Sequence, residues 1–301
     1  MVKSSIPRAD LDIGSNTIRL LVAQVSGDDL IPTEDASEFV RLGKGVDATG
    51  QLQEDRIVAA IEAIKRLSAR ARELGAEEVI AIATSAVRDA SNRDDFVRRV
   101  HDDTGLDVRI LTGDEEARLT YLGATLGSPV KNGAVICDLG GGSAELIFAT
   151  ESGLQWARSL QIGSGRLTEQ FVRHDPPTND ELQAVRHHVR SLLRDLPPAD
   201  AATTILTGGT ASHIAFLLEK GGDRTELDRA DLERVEALLR TESVDHLVTG
   251  RGVSRERAEV LPAGVTAAAA IVEFYDTRNV VITRRGIREG AIVDRGHQVA
   301  L

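Results

Sequence analysis

The sequence contains two copies of one short pattern, and this repeat constrains the fold more than any other feature. The first copy is LDIGSNTIRLLVA at residues 11–23, and the second is CDLGGGSAELIFA at residues 137–149. In each copy an aspartate, Asp12 or Asp138, ends an apolar run and precedes a turn that contains glycine. We interpret the copies as a duplicated unit of strand, turn and strand, because glycine supplies the backbone angles that tight turns need.

Between and after the two copies, predicted helices alternate with predicted strands. Residues 57–75 place apolar side chains along one helical face, and residues 79–84 form a short apolar run typical of a buried strand. After the second copy, residues 203–220 predict a strand, a double glycine and a helix, residues 262–276 predict a helix, and residues 279–294 predict a strand, a turn and a short helix. This alternation predicts an α/β protein whose sheets are covered by helices.

Length and composition predict two domains. The chain has 301 residues, of which 42% are hydrophobic, and this is enough to build two separate cores. We predict domains at residues 1–118 and 119–301, with the last segment, about 287–301, able to pack back on the first domain. No low-complexity linker separates the halves, which favours two domains that meet across a cleft.

Charge and cysteine content narrow the classes of partner. The net charge of −11 argues against binding of duplex nucleic acid or of a membrane surface, although backbone amides, a metal and a few arginines can still hold an anion locally. The single cysteine, Cys137, lies in an apolar run, and the N-terminal sequence lacks the apolar stretch of a signal peptide. We therefore expect a soluble, cytoplasmic protein without disulfides.

Glycine turns that follow apolar strands are candidates for phosphate binding. A lone glycine turn is usually only a hairpin, but two copies in register favour phosphate loops. The candidate phosphate-binding residues are Gly14, Ser15, Asn16 and Thr17, then Gly140, Gly141, Gly142 and Ser143, and in a third turn Gly208, Gly209 and Thr210. No lysine follows either repeated loop, so the pattern G-x-x-x-x-G-K-[ST] is absent and the cation at the site must be a metal or an arginine. Arg19 and Arg88 each follow a small polar loop and are candidates, although an isolated arginine is more often a surface charge.

Four carboxylates are candidates for chemistry. Asp138 and Glu145 flank the second glycine turn and could supply two oxygen ligands to Mg²⁺, the alternative for Glu145 being a solvated position at a sheet edge. Asp12 occupies the matching place in the first copy and is a third candidate metal ligand. A buried aspartate there needs a metal, a water or loop amides as its partner. Glu116 lies in the first turn of a helix predicted at residues 114–126, where acidic residues usually only complement the helix dipole.

Taken in order, segments along nearly the whole chain resemble the exopolyphosphatase and guanosine pentaphosphate phosphatase family, a branch of the actin-like and sugar-kinase-like fold. They are DIGSNTIRLLVA, VRLGKGVDATGQL, AIATSAVRDASN, LTGDEEARLTYLGA, VICDLGGGSAELIF, IGSGRLTEQF, LTGGTAS and RRGIREG. The resemblance implies an α/β fold with two ribonuclease-H-like domains and an interdomain cleft. It also implies Mg²⁺ or Mn²⁺ as cofactor and hydrolysis of a terminal phosphoanhydride.

The resemblance assigns roles to particular residues. It implies that Glu116 is the general base, that Asp138 and Glu145 bind the metal and the catalytic water, and that Arg88 contacts phosphate. The two repeated loops become the phosphate cradles. Glu116, which its helix position alone would not single out, becomes a catalytic candidate on this ground.

The sequence departs from the family pattern at three places. Asp10 stands where a small or apolar residue is usual, and Ala144 stands where a threonine is usual, which removes one hydroxyl from the second cradle. The chain also ends where longer members continue into a helical domain that helps to hold long polyphosphate. This last departure predicts a preference for short oligophosphates and distributive rather than processive release.

These observations predict an exopolyphosphatase that removes the terminal phosphate from linear polyphosphate. Three alternatives remain open from the sequence. The first is hydrolysis of guanosine pentaphosphate, the second is a catalytically weak regulator that binds polyphosphate or guanosine tetraphosphate, and the third is a sugar or acetate kinase of the same superfold. A homodimer is the expected oligomer.

Overall fold

A computed structural model describes residues 7–26, 29–222 and 224–294 of the chain. The chain forms two compact units, the first made of residues 1–129 with 285–301 and the second of residues 130–284. Each unit contains its own mixed β-sheet. The predicted boundary after residue 118 lies inside a helix, Gly113–Ala124, whereas the units divide after Pro129 because this whole helix packs in the first unit.

The first unit begins with alternating strands and helices. Its strands are β1 (Arg8–Ile13), β2 (Thr17–Ser26), β3 (Asp29–Phe39), β4 (Glu78–Ala83) and β5 (Val108–Ile110), and the helices in this part of the chain are α1 (Val46–Thr49), α2 (Glu54–Glu73), α3 (Ser85–Asp89), α4 (Arg93–Thr104) and α5 (Gly113–Ala124). The sheet order is β3-β2-β1-β4-β5. The first three strands form an antiparallel meander, and β1, β4 and β5 are parallel. This is the ribonuclease-H-like arrangement that the resemblance implied.

The core of the first unit lies between its sheet and α2. The helix was predicted at residues 57–75 and runs over Glu54–Glu73, with Ile57, Ile61 and Ile64 buried as their spacing indicated. These side chains pack with Leu11 and other strand residues in one apolar cluster. Because β1, β4 and β5 are parallel, their carboxyl ends meet at one edge of the sheet, where loops of α/β proteins bind ligands.

The second unit repeats this plan with additions. Its strands are β6 (Ala134–Leu139), β7 (Ala144–Thr150), β8 (Gly153–Leu160), β9 (Thr203–Thr207), β10 (Arg224–Leu227) and β11 (Asn279–Thr283), and its helices are α6 (Ser164–Phe171), α7 (Asn179–Leu193), α8 (Gly208–Leu217), α9 (Arg229–Leu239), α10 (Val244–Arg251) and α11 (Arg255–Phe274). The sheet order is β10-β11-β9-β6-β7-β8, with β6, β9 and β11 parallel. Strands β6, β7 and β8 therefore correspond to β1, β2 and β3.

Helix α11 begins earlier than the sequence indicated. The prediction of a helix at residues 262–276 placed Pro262 at its first turn, but the helix starts at Arg255 and Pro262 lies in its interior. Burial of almost every residue from Ala258 to Val272 against neighbouring helices stabilises the helix despite the proline. Although α11 is 20 residues long, no helix in the described ranges is long and apolar enough to span a lipid bilayer.

The chain returns to the first unit as α12 (Ile287–Val293), which crosses α5 at very close range. A Cβ added at Gly290 would overlap the backbone carbonyl of Leu119, and one added at Gly123 would overlap the carbonyl of Gly286. Beside this crossing, Arg118 forms a two-pronged ion pair with Asp294, with both N–O distances at 2.8 Å. The helix that carries Glu116 is thus packed backbone to backbone against the last described helix.

Candidate active site

The first glycine loop, residues 14–17, joins β1 to β2 at the carboxyl end of β1. Gly14 N donates to Thr17 O at 3.1 Å, which closes a tight turn. A Cβ at Gly14 would lie 2.8 Å from Thr17 O, so the turn requires glycine. Ser15 Oγ accepts a hydrogen bond from Ala86 N of α3 at 3.1 Å. The loop is therefore attached to the helix that follows β4.

The carbonyl groups of this loop face a neighbouring segment. Ser15 O accepts from Gly43 N at 2.8 Å, and Asn16 O accepts from Val40 N at 2.9 Å. Because C=O and N–H of a trans peptide point in opposite directions, the amides of Asn16 and Thr17 point away from that segment. Asn16 Nδ2 and Thr17 Oγ1 are buried and have no hydrogen-bond partner among the described residues. Buried donors without partners are uncommon, and here they coincide with the predicted phosphate cradle.

Glu116 lies in the first turn of α5 and is buried, with 6% exposure. The start of the helix is set by Thr112 and Glu115, which form the capping box that the sequence predicted. Arg88, at the end of the short helix α3, donates through Nη1 to Glu116 Oε2 at 2.7 Å and to Leu111 O at 3.0 Å. Glu116 is therefore a buried carboxylate in an ion pair rather than an exposed first-turn residue.

The two carboxylates of the second unit lie side by side. Asp138 of β6 and Glu145 of β7 are register partners in the antiparallel pair, so their side chains share one face of the sheet. Glu145 is 2% exposed and accepts a hydrogen bond from Ser159 Oγ of β8 at 2.7 Å. Strand β7 lies between β6 and β8, so Glu145 does not occupy the solvated edge position that was its alternative.

The second glycine loop, residues 140–143, is held by the start of α6. Gly140 O accepts from Ser164 N at 2.9 Å, Gly141 O accepts from Gly165 N at 2.9 Å, and Gly142 O accepts from Arg166 Nε at 2.8 Å. By the same peptide geometry, the amides of the loop point away from α6. A row of amides fixed in this way can stabilise an anion with little reorganisation.

The third predicted glycine turn, residues 208–210, forms the first turn of helix α8 and adjoins Asp138. Strands β6 and β9 are parallel, with Asp138 opposite Thr207. Gly208 has a φ of +87°, and a Cβ added there would overlap Asp138 Oδ1, so only glycine fits beside the carboxylate. Thr210 Oγ1 is buried without a hydrogen-bond partner among the described residues. Within the second unit, the structure therefore brings together the loop, the two carboxylates and the third turn.

The duplicated loops differ in one charge. Asp12 lies opposite Arg19 across β1 and β2, in the register position that Asp138 and Glu145 occupy across β6 and β7. In the first unit an arginine thus stands opposite the loop aspartate in the strand register. In the second unit another carboxylate stands at that position. Within residues 7–26, 29–222 and 224–294, no group of three or more histidine, cysteine, aspartate or glutamate side chains is arranged to hold a metal ion.

Asp10, the unusual residue in β1, is completely buried. Neither of its carboxyl oxygens has a hydrogen-bond partner among the described residues. Burial raises the pKa of Asp10 well above its usual value, and the nearby charge of Asp12 raises it further, whereas Arg288 of α12 lowers it. Arg288 is committed to a two-pronged ion pair with Asp35 at 2.6 and 3.2 Å.

We expect Asp10→Asn to stabilise the protein at neutral pH. The unfolded chain releases the proton of Asp10 near pH 4, whereas the folded protein keeps it to higher pH. Since the folded state then binds more protons, the stability of the wild type falls as the pH rises above about 4. Thermal denaturation of both proteins between pH 5 and pH 8 should show a steeper fall for the wild type. Equal slopes for the two proteins would contradict this account.

Sequence reasoning missed several residues that support the site. Ser159 donates a hydrogen bond to Glu145. Arg166 donates to a carbonyl of the second loop, and the carbonyl of Leu111 accepts from Arg88. Ser159 lies in an edge strand, where the apolar pattern is weak. Arg166 lies in IGSGRLTEQF, which the sequence marked only as a segment of family resemblance.

Two ribonuclease-H-like sheets, each with a glycine loop after its first strand, define the actin-like class of α/β proteins. Within that class, the chain belongs to the Ppx/GppA phosphatase family, whose family model matches residues 21–298. The family predicted from the sequence is therefore confirmed.

Relatives and solved structures agree with this membership. The chain is 30% identical to exopolyphosphatase 1 of Mycobacterium leprae, over 94% of this chain and 87% of the relative. It is 34% identical to exopolyphosphatase 2 of Mycobacterium tuberculosis, over 95% of this chain and 92% of the relative. A solved structure of the Aquifex aeolicus PPX-GPPA enzyme matches with a TM-score of 0.79 and 29% identity, over 95% of this chain and 98% of that chain. The α/β fold class predicted from the sequence is also confirmed.

Proposed function

We propose that the protein is an exopolyphosphatase, which hydrolyses the terminal phosphoanhydride of linear polyphosphate and releases orthophosphate. The observation that carries the proposal is the pair of buried donors in the first glycine loop, on Asn16 and Thr17, that have no partner among the described residues. Phosphate oxygens accept hydrogen bonds from such groups. The names of the relatives, which are exopolyphosphatases, support this substrate class.

We further propose that Asp138 and Glu145 hold Mg²⁺ or Mn²⁺. The fit is chemical: both are hard oxygen ligands on one face of the sheet, and Mg²⁺ usually takes one or two protein carboxylates and completes its shell with water. When bound, the metal neutralises charge on the phosphoryl oxygens. Ser159 fixes one oxygen of Glu145, which sets the orientation of that carboxylate.

The remaining roles fall to side chains and amides of this chain. The loop amides at 14–17 and 140–143 bind the phosphoryl oxygens and stabilise the charge that these oxygens carry. Glu116 accepts the proton of the attacking water as general base. The leaving group is a phosphate, which needs no strong general acid.

The test is release of orthophosphate from tripolyphosphate, longer polyphosphate and guanosine pentaphosphate, with the Glu116→Gln protein as blank. Release from polyphosphate that depends on Glu116 supports the proposal. Faster release from guanosine pentaphosphate would make the protein a guanosine pentaphosphate phosphohydrolase. Tight binding of these compounds without release would make it a regulator, and either of these results would overturn the exopolyphosphatase proposal.

Asp138→Asn is expected to raise the Mg²⁺ concentration needed for half-maximal activity by about ten- to a hundredfold. The amide keeps the size of the carboxylate but loses the charge that attracts the cation. The measurement is a Mg²⁺ titration of phosphate release by wild type and variant. An unchanged metal dependence at full activity would remove Asp138 from the metal site.

A further inference from the structure

Arg88 connects the first glycine loop to the proposed base. It belongs to α3, whose Ala86 N donates to Ser15 Oγ of that loop at 3.1 Å. From the other end of α3, Nη1 of Arg88 reaches both Glu116 Oε2 and the carbonyl of Leu111. The Arg88 and Glu116 side chains are 18% and 9% exposed, so solvent screens their interaction only weakly.

We propose that Arg88 is a positioning residue for Glu116. Family resemblance suggested a contact between Arg88 and phosphate, but the structure aims its Nη1 at the carboxylate and at the last residue before the cap of α5. One guanidinium group thereby fixes both an oxygen of Glu116 and the start of the helix that carries it. Because a general base must be held within hydrogen-bond reach of its proton, losing this contact lowers the rate of the chemical step.

This inference rests on the proposed role of Glu116, and a double-mutant cycle separates the two claims. The proteins are the wild type, Arg88→Gln, Glu116→Gln and the double variant, and the probe is tripolyphosphate. If Arg88 acts through Glu116, Arg88→Gln lowers kcat by about ten- to a hundredfold in the wild-type background. In the Glu116→Gln background it causes no further loss, because the group that it positions is already inactive.

Binding distinguishes positioning from phosphate contact. If Arg88 only positions Glu116, the KM of Arg88→Gln stays within about twofold of the wild-type value. The calorimetric affinity for tripolyphosphate likewise agrees within about twofold between Glu116→Gln and the double variant. A phosphate contact would weaken binding in both backgrounds, and that result, or additive losses of kcat, would overturn the inference. Full activity of Glu116→Gln would remove Glu116 from the chemistry, and with it the group that Arg88 is proposed to position, whereas absence of phosphate release from the wild type would defeat the proposed function.

The matched control is Arg109→Gln. Arg109 of β5 pairs with Glu115, the neighbour of Glu116 in α5, so this change removes a positive charge that is paired with the same helix turn. It is expected to leave kcat within about twofold of wild type. An equal loss in Arg109→Gln would mean a general charge effect and would overturn the inference. If Arg88→Gln does not fold, the same cycle is measured with Arg88→Lys. Its loss of kcat is expected to be smaller and again to disappear in the Glu116→Gln background.

Discussion

Glu116→Gln is expected to lower kcat for polyphosphate hydrolysis by about 10²- to 10⁴-fold, the usual contribution of a general base. Glutamine keeps the shape of the side chain and can still accept the hydrogen bond from Arg88 Nη1, but it cannot take the proton of the attacking water. Binding of short oligophosphates should therefore survive. The measurement is kcat together with calorimetric affinity for tripolyphosphate.

The structure also changes the expected effect of this substitution on stability. As an exposed first-turn residue, Glu116 would contribute only about 0.3–1 kcal/mol through the helix dipole. Because it is buried beside Arg88, its replacement should cost about 1–3 kcal/mol. Rates must therefore be compared below the melting temperature of both proteins. Near-normal kcat, or a loss explained by weaker binding, would remove Glu116 from the chemistry.

Gly290→Ala is expected to destabilise the first unit by roughly 3 kcal/mol, which is about 5–10 °C in melting temperature. The added Cβ would overlap the carbonyl of Leu119, and a backbone group cannot rotate out of the way as a side chain can. Helix α12 would have to move away from α5. Differential scanning calorimetry measures the change.

Gly221→Ala is the control for this prediction. Among the described residues, apart from Gly221 itself and its two chain neighbours, no heavy atom lies within 4 Å of a Cβ placed at Gly221, so the same substitution should change the melting temperature little. If Gly290→Ala melts like the wild type, the close crossing of α5 and α12 does not restrict that position.

Much of the fold was predictable because local patterns agreed with tertiary packing. The duplicated pattern, the apolar face of α2 and the capping box at Thr112 each specified an element that the structure contains. Strands β3 and β8 were not predicted, since both lie at the edge of a sheet and few of their residues are fully buried. The predicted start of α11 at residue 262 was wrong because burial of the helix overrides the preference of Pro262 for the first turn of a helix.

A contact of the candidate site was predictable only where its two residues lie on adjacent strands of one hairpin. The turn between β6 and β7 makes the approach of Asp138 and Glu145 a matter of local register. By contrast, Arg88 and Glu116 are 28 residues apart in sequence and meet because α3 and α5 follow the carboxyl ends of the paired parallel strands β4 and β5. The unpartnered burial of Asp10 likewise depends on α12, nearly the whole chain away. Such long-range contacts leave no periodic signal in the sequence.

The placement of α12 has a consequence for synthesis of the chain. The second unit is complete once residue 284 has been made, whereas the first unit lacks its last described helix until residue 293 follows. Domains generally fold as units while the ribosome is still translating. The half of the protein that is made first is therefore the half that finishes folding last, and the face of α5 around Leu119 and Gly123 stays uncovered while the second unit is being made.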